Sequence, residues 1–157
     1  MRKKNINSEI STIENHQENW LNLSELAEVE FTSENPAQPI EEALELNKNS
    51  YWQAGTPGQQ KIIIHFDQPQ QLTQLQLLFE ENEQSRTQEF SIHWSSDQGR
   101  NYQEVVRQQF NFSPPDTSRQ LENYNLNLTN VTSIKLIIIP DLNNDAAKAS
   151  MSYLRVR

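Results

Sequence analysis

Short runs in which apolar and polar residues alternate restrict the fold of this chain more than any other feature. In the run KIIIHFD, Ile62, Ile64 and Phe66 share one face of an extended segment. Because strand side chains point alternately to two faces, a period of two predicts half-buried β-strands. The same period recurs in LTQLQLLFE, EFSIHWS, YNLNLTN, SIKLIIIP and SYLRVR, and the turn-forming segments DQP, SSDQG, FSPPDTS and IPDLNND divide these runs. We therefore expect an all-β fold, an antiparallel sandwich or barrel.

The N-terminal end of the chain has a different character. Residues 1–19 are polar, rich in Asn, Glu and Lys, and show no sustained period, which predicts a flexible tail. Residues 20–157 are predicted to form one β-domain, and the whole length of 157 residues suits a single domain. The run PIEEALELN, residues 39–47, begins with Pro and contains helix formers, so it predicts one short helix.

Composition argues against several classes of partner and site. The chain has 13 basic and 21 acidic residues and a net charge of -8, which disfavours duplex nucleic acid and anionic membranes as partners. Cysteine is absent, which excludes disulfides, thiolate metal sites and a cysteine nucleophile. The basic N-terminal residues are not followed by the apolar run of a signal peptide or membrane span. We expect a cytoplasmic location, unless the chain is cut from a longer secreted protein.

The sequence offers little support for catalysis. It contains no GxSxG, HExxH, P-loop or GxGxxG motif. The histidines are His16, His65 and His93, and only His65 has a metal-ligating neighbour, Asp67, on the same predicted strand face. Two ligands without a third do not make a typical zinc site. The expectation is a binding module and not an enzyme.

Six segments, taken together in this order and spacing, resemble a known family. They are AEVEFTSE, ALELNKNSYW, IIIHFDQPQQL, FSIHWSSDQGRNY, SIKLIIIP and ASMSYLRVR, within residues 23–157. The resemblance is to the discoidin-like domains, also called coagulation factor 5/8 type C domains, and it implies a galactose-binding-like jelly-roll β-sandwich. The chain departs from the family pattern at Glu45 and Leu46 in place of Asp-Gly, at an inserted Gln98, at Tyr102 in place of Trp, and at Tyr153 in place of Glu. It also lacks the cysteine pair of many extracellular members, in agreement with a reducing compartment.

The aromatic pair Tyr51–Trp52 is predicted to divide between surface and core. The resemblance aligns Trp52 with a family Trp that packs beneath the sandwich, and a large buried aromatic side chain needs no ligand to account for it. Tyr51 then points the other way and is the more plausible surface aromatic.

The resemblance also implies where a ligand would bind. Residues 79–90 correspond to a loop at the ligand-facing end, where membrane-binding members carry apolar and basic residues. Here the loop carries several glutamates, which an anionic bilayer would repel. Polar side chains beside an aromatic wall instead suit carbohydrate, and a solvated connection is the alternative. The predicted ligand-binding residues are Tyr51, Gln53, Asn82, Gln84 and Arg86.

A calcium ion is a further expectation from the resemblance, because several relatives hold calcium in the loop that corresponds to ELNKNSYW. Calcium takes six to eight oxygen ligands. Glu45, Asn47, Asn49 and Ser50 would supply some of them, and the alternative is a capped helix end followed by a turn.

The segment RQQFNFSPPDTSR, residues 107–119, leaves two interpretations open. Phe110 and Phe112 have strand spacing, which is compatible with a core face. If they are exposed, they form an apolar contact patch with Arg119. This patch underlies a second functional hypothesis, an intracellular adaptor with a protein partner in place of a glycan.

Overall fold

The structure is a computed structural model that describes residues 19–157. The predicted tail, apart from Asn19, and His16 within it therefore lie outside the described residues. No helix in the described part of the chain is long and apolar enough to cross a membrane. The elements are α1 (Leu23–Leu26), β1 (Ala27–Phe31), α2 (Glu41–Leu44), β2 (Trp52–Gln53), β3 (Gln60–Glu80), β4 (Arg86–Ser95), β5 (Gln103–Phe112), β6 (Arg119–Ile139), β7 (Ser150–Met151) and β8 (Tyr153–Val156).

Two long strands, β3 and β6, organise the sheet and pair with each other antiparallel almost throughout. Their register is irregular between His65 and Gln74, and the partners change there. The first half of β3 pairs with β1, and the second half pairs with β8. The second half of β6 pairs with β4, which in turn pairs with β5. The two halves of β3 and β6 thus belong to the two layers of a jelly-roll β-sandwich, as the sequence predicted.

The core lies between these layers and is built from the alternating residues of the strands. The predicted inward faces of β3, β4, β6 and β8 are buried, except that Trp94 and the residues of YNLNLTN are only partly covered. Burial of this apolar surface is the main source of stability. The largest fully buried side chains include Trp52, Phe79, Phe90 and Ile62.

Two predicted boundaries differ from the structure. The DQP segment was expected to separate two strands, but β3 runs through it. Pro69 lies in the gap between the His65–Ser133 and Gln70–Val131 pairs, where its missing N–H breaks no ladder hydrogen bond. The runs YNLNLTN and SIKLIIIP likewise form one strand, β6.

The predicted helix is present, but it is short. Its four residues, Glu41–Leu44, occupy the middle of the predicted span 39–47. Glu45 is already extended, with φ -76° and ψ 143°, so the helix ends after one turn. Ala43 and Leu44 are buried, and they anchor the turn to the sandwich.

The prediction of an exposed contact patch is wrong for Phe112. Only 2% of Phe112 is exposed, and Phe110 is half-buried and packs against it edge to face, with ring centroids 4.9 Å apart. Both side chains face inward because residues two apart on a strand share a face. Arg119 is exposed, but no exposed pair of phenylalanines accompanies it. The core interpretation of this segment is confirmed.

Candidate functional site

A solvent-open cleft of about 590 Å³ lies where three distant parts of the chain meet. One side is formed by Tyr51 and Gln53. A second is formed by residues 80–84, the end of β3 and the loop that follows. The third comes from residues 146–148 with Ser150 and Ser152. Hereafter this is called the cleft.

Short strand β2 places Tyr51 at the cleft. Trp52 pairs with Met151 and Gln53 pairs with Ser150, which brings residues 146–152 alongside. The Trp52 ring is fully buried, and its Nε1–H donates to the carbonyl oxygen of Ser33 at 3.1 Å. Tyr51, one residue earlier, is 43% exposed. The predicted division between a core Trp and a surface Tyr is confirmed.

The loop between β3 and β4 is organised around the carboxylate of Glu81. Oε1 accepts a hydrogen bond from Arg86 Nε at 2.7 Å. Oε2 accepts from the backbone N–H groups of Glu83 at 3.1 Å and Gln84 at 3.5 Å. Partial burial raises the pKa of Glu81, but the hydrogen bonds and the positive charge of Arg86 outweigh it, so the net pKa lies below its ordinary value. Glu81 therefore stays ionised at neutral pH.

The structure brings four of the five predicted ligand-binding residues to the cleft: Tyr51, Gln53, Asn82 and Gln84. Arg86 lies elsewhere. Only 2% of its side chain is exposed, and its Nη1 donates to Gln88 Oε1 at 2.9 Å and to the Pro140 carbonyl at 2.8 Å. With these partners inside the domain, its guanidinium does not line the cleft.

Several residues that line the cleft carried no signal in the sequence. Lys148, Ser150 and Ser152 are far from Tyr51 in the chain and reach it only through the β2–β7 pairing.

Glu80 and Glu83 contribute exposed carboxylates to the cleft, and the Ser152 hydroxyl donates to Glu80 Oε1 at 3.3 Å. Because Arg86 already neutralises Glu81, Glu80 and Glu83 face a single ammonium group, that of Lys148, among the described residues that line the cleft.

The predicted calcium loop does not offer a donor set that suits calcium. Its one carboxylate, Glu45, lies 3.6 Å from the ammonium nitrogen of Lys48. The Ser50 hydroxyl donates to Gln38 Oε1 at 3.0 Å, while Asn47 and Asn49 are exposed. Calcium prefers a dense cage of mostly anionic oxygens, which this loop does not supply. Within residues 19–157, no group of three or more His, Cys, Asp or Glu side chains is placed to hold a metal.

His65 has other partners than the predicted Asp67. Its Nε2 lies 2.7 Å from Glu30 Oε1, and its Nδ1 lies 3.0 Å from Ser133 Oγ. Although serine, histidine and glutamate are hydrogen-bonded in a row here, Ser133 is fully buried. The arrangement links strands β1, β3 and β6 through side-chain hydrogen bonds.

The F5/8 type C domain model matches residues 27–152, and the chain therefore belongs to this family. The resemblance drawn from the six sequence segments is thus confirmed. None of the curated proteins compared with the chain is a significant match.

Solved structures of similar fold include carbohydrate-binding modules of family 32, CBM32. CpGH89CBM32-5 from Clostridium perfringens, in complex with GalNAc-β-1,3-galactose, has a TM-score of 0.66 at 20% identity. The match covers 87% of this chain and 98% of the CpGH89CBM32-5 chain. The family 32 module of C. perfringens NanJ, in complex with galactose, has a TM-score of 0.65 at 14% identity, with coverages of 87% and 96%. The CBM32 of AlyQ, in complex with 4,5-unsaturated mannuronic acid, has a TM-score of 0.60 at 20% identity, with coverages of 84% and 95%. At these identities the similarity establishes the fold.

Proposed function

We propose that this domain is a non-catalytic carbohydrate-binding module that takes up a sugar in the cleft. One observation carries the proposal: the exposed ring of Tyr51 and the exposed amides of Asn82 and Gln84 line the same cleft. A sugar has apolar C–H faces that pack on an aromatic ring, and hydroxyls that both donate to and accept from amide groups. The sugars in complex with structures of the same fold, galactose among them, support the proposal.

The charges around the cleft favour a neutral sugar over an anionic one. Glu80 and Glu83 are exposed carboxylates, and Lys148 is the opposing charge. Like charges a few ångströms apart repel each other, although solvent screens the effect. We therefore expect galactose or N-acetylgalactosamine to bind more tightly than a uronic acid of the same size.

The test is NMR shift mapping of the ¹⁵N-labelled protein with galactose, N-acetylgalactosamine and galacturonic acid at millimolar concentrations. The expected shifts are confined to Tyr51, Gln53, residues 80–84 and residues 146–152. Replacing Gln84 by Ala should weaken the affinity about fivefold or more, since one hydrogen bond contributes about 1 kcal/mol. Gln59→Ala, at an exposed glutamine outside the cleft, is the matched control.

Two results would count against the proposal. One is the absence of shifts with any sugar of a wider glycan panel at millimolar concentration. The other is saturable binding whose shifts map to residues outside the cleft.

A further inference from the structure

The carboxylate of Glu81 connects Arg86 to the loop that forms one side of the cleft. Glu81 uses one oxygen for Arg86 Nε at 2.7 Å and the other for the amides of Glu83 and Gln84. Its own N–H donates to the Ser118 carbonyl at 2.8 Å. Two of the loop residues that line the cleft, Glu83 and Gln84, are thus hydrogen-bonded through their backbone amides to a carboxylate that is itself bound to a buried guanidinium.

The guanidinium is held from several directions. The nitrogen Nη1 donates to Gln88 Oε1 and to the Pro140 carbonyl, and the guanidinium carbon lies 4.6 Å from the centre of the Phe112 ring. The nitrogen Nη2 is buried and has no hydrogen-bond partner among the described residues. A buried cation without its counter-ion is costly, because water no longer solvates it. Within the described chain, Glu81 is the one carboxylate that forms an ion pair with Arg86. The pair therefore restricts the conformations that the loop after β3 can adopt.

We propose that Arg86 is a positioning residue for the cleft: through Glu81, it fixes the turn that presents Asn82 and Gln84 to the ligand. The guanidinium does not touch the ligand. Its effect passes from the domain interior to the backbone amides of Glu83 and Gln84. The inference rests on the proposed function for the nature of the ligand, while the effect on the loop is independent of it.

The loop arm of the test needs no ligand. Amide shifts of Glu83 and Gln84 are followed from pH 7 to pH 2.5 in the wild type and in Glu81→Gln. In the wild type both amides should titrate together with a midpoint below 4.5, the ordinary glutamate value, because Arg86 and the amides lower the pKa of Glu81. The stabilising contact is present above that midpoint and is lost as the pH falls through it.

In Glu81→Gln the part of the titration that both amides share should vanish, and amide exchange at both positions should rise about tenfold, since hydrogen bonds to charged groups contribute more than neutral ones. The control is Glu104→Gln, which removes the carboxylate of the exposed pair with Arg107, away from the cleft. It should leave both amides unchanged. The inference is wrong if the two amides share no titration in the wild type, or if their shared titration persists in Glu81→Gln.

The binding arm uses galactose as the probe and Arg86→Lys as a second variant. Lysine keeps the charge but cannot donate to Glu81, Gln88 and Pro140 in the geometry of a guanidinium. Both Arg86→Lys and Glu81→Gln should weaken galactose binding about three- to tenfold while circular dichroism shows a folded domain. Wild-type affinity in both variants would overturn the inference. If the wild type binds no sugar, the proposed function fails, and the loop arm alone decides the positioning role.

Discussion

The pair Tyr51–Trp52 and the pair Phe110–Phe112 are both aromatic, and both lie near loops, yet they have different roles. Adjacent residues on an extended chain point to opposite faces, so Trp52 is buried and Tyr51 is 43% exposed. Residues two apart share a face, so Phe110 and Phe112 both turn toward the core. The spacing of two aromatic residues therefore indicates whether a strand can present one of them to a ligand while it buries the other.

Among substitutions in these two aromatic pairs, Trp52→Ala should lower the stability of the domain most. The ring is fully buried and donates one hydrogen bond to Ser33, so the free energy of unfolding should fall by about 3–5 kcal/mol. Urea unfolding followed by circular dichroism measures the loss. A loss below about 1 kcal/mol would mean that Trp52 is not the core residue described here.

The pair Phe110–Phe112 should show a smaller and graded effect. Phe112→Ala should lower the free energy of unfolding by about 3 kcal/mol, because the ring is buried and supports the guanidinium of Arg86. Phe110→Ala should lower the free energy of unfolding by about 1–2 kcal/mol, since that ring is half-buried. The same urea unfolding experiment measures both. Equal and negligible losses would restore the hypothesis of an exposed contact patch.

Tyr51→Ala should leave stability almost unchanged and should act on binding instead. The expected change in the free energy of unfolding is within about 0.5 kcal/mol, as for most exposed positions. Galactose affinity should fall about tenfold, which corresponds to about 1.4 kcal/mol. Phe31→Ala is the matched control, because Phe31 is 39% exposed and does not line the cleft. Equal galactose affinity in the two variants would remove Tyr51 from the proposed site.

Sequence periodicity predicted the strand faces well and the strand ends less well. Ile62, Ile64 and Phe66 are buried as their alternation required. The boundary at Pro69 is wrong, because the turn-forming segment DQP predicts a division and β3 runs through it. In the structure Pro69 falls at an irregularity in the pairing, where the missing N–H is harmless.

The candidate site was only partly predictable. Tyr51, Asn82 and Gln84 are predicted to bind the ligand, and all three line the cleft. Their role in binding stays a prediction. Arg86 is predicted beside them as a polar side chain of the segment 79–90, which the resemblance places at the ligand-facing end. Its direction depends on Glu81, Gln88 and the Pro140 carbonyl, and no local pattern encodes that combination.

By itself, the sequence determined the β-sandwich class, the family and the division of roles between Tyr51 and Trp52. These follow from local alternation and from the order of short segments, both of which are properties of the linear chain. Only the tertiary structure decided that residues 146–152 complete the cleft and that Arg86 lies inside the domain. Both depend on pairing between residues far apart in the chain, such as Gln53 with Ser150, and on which buried partners satisfy a charge.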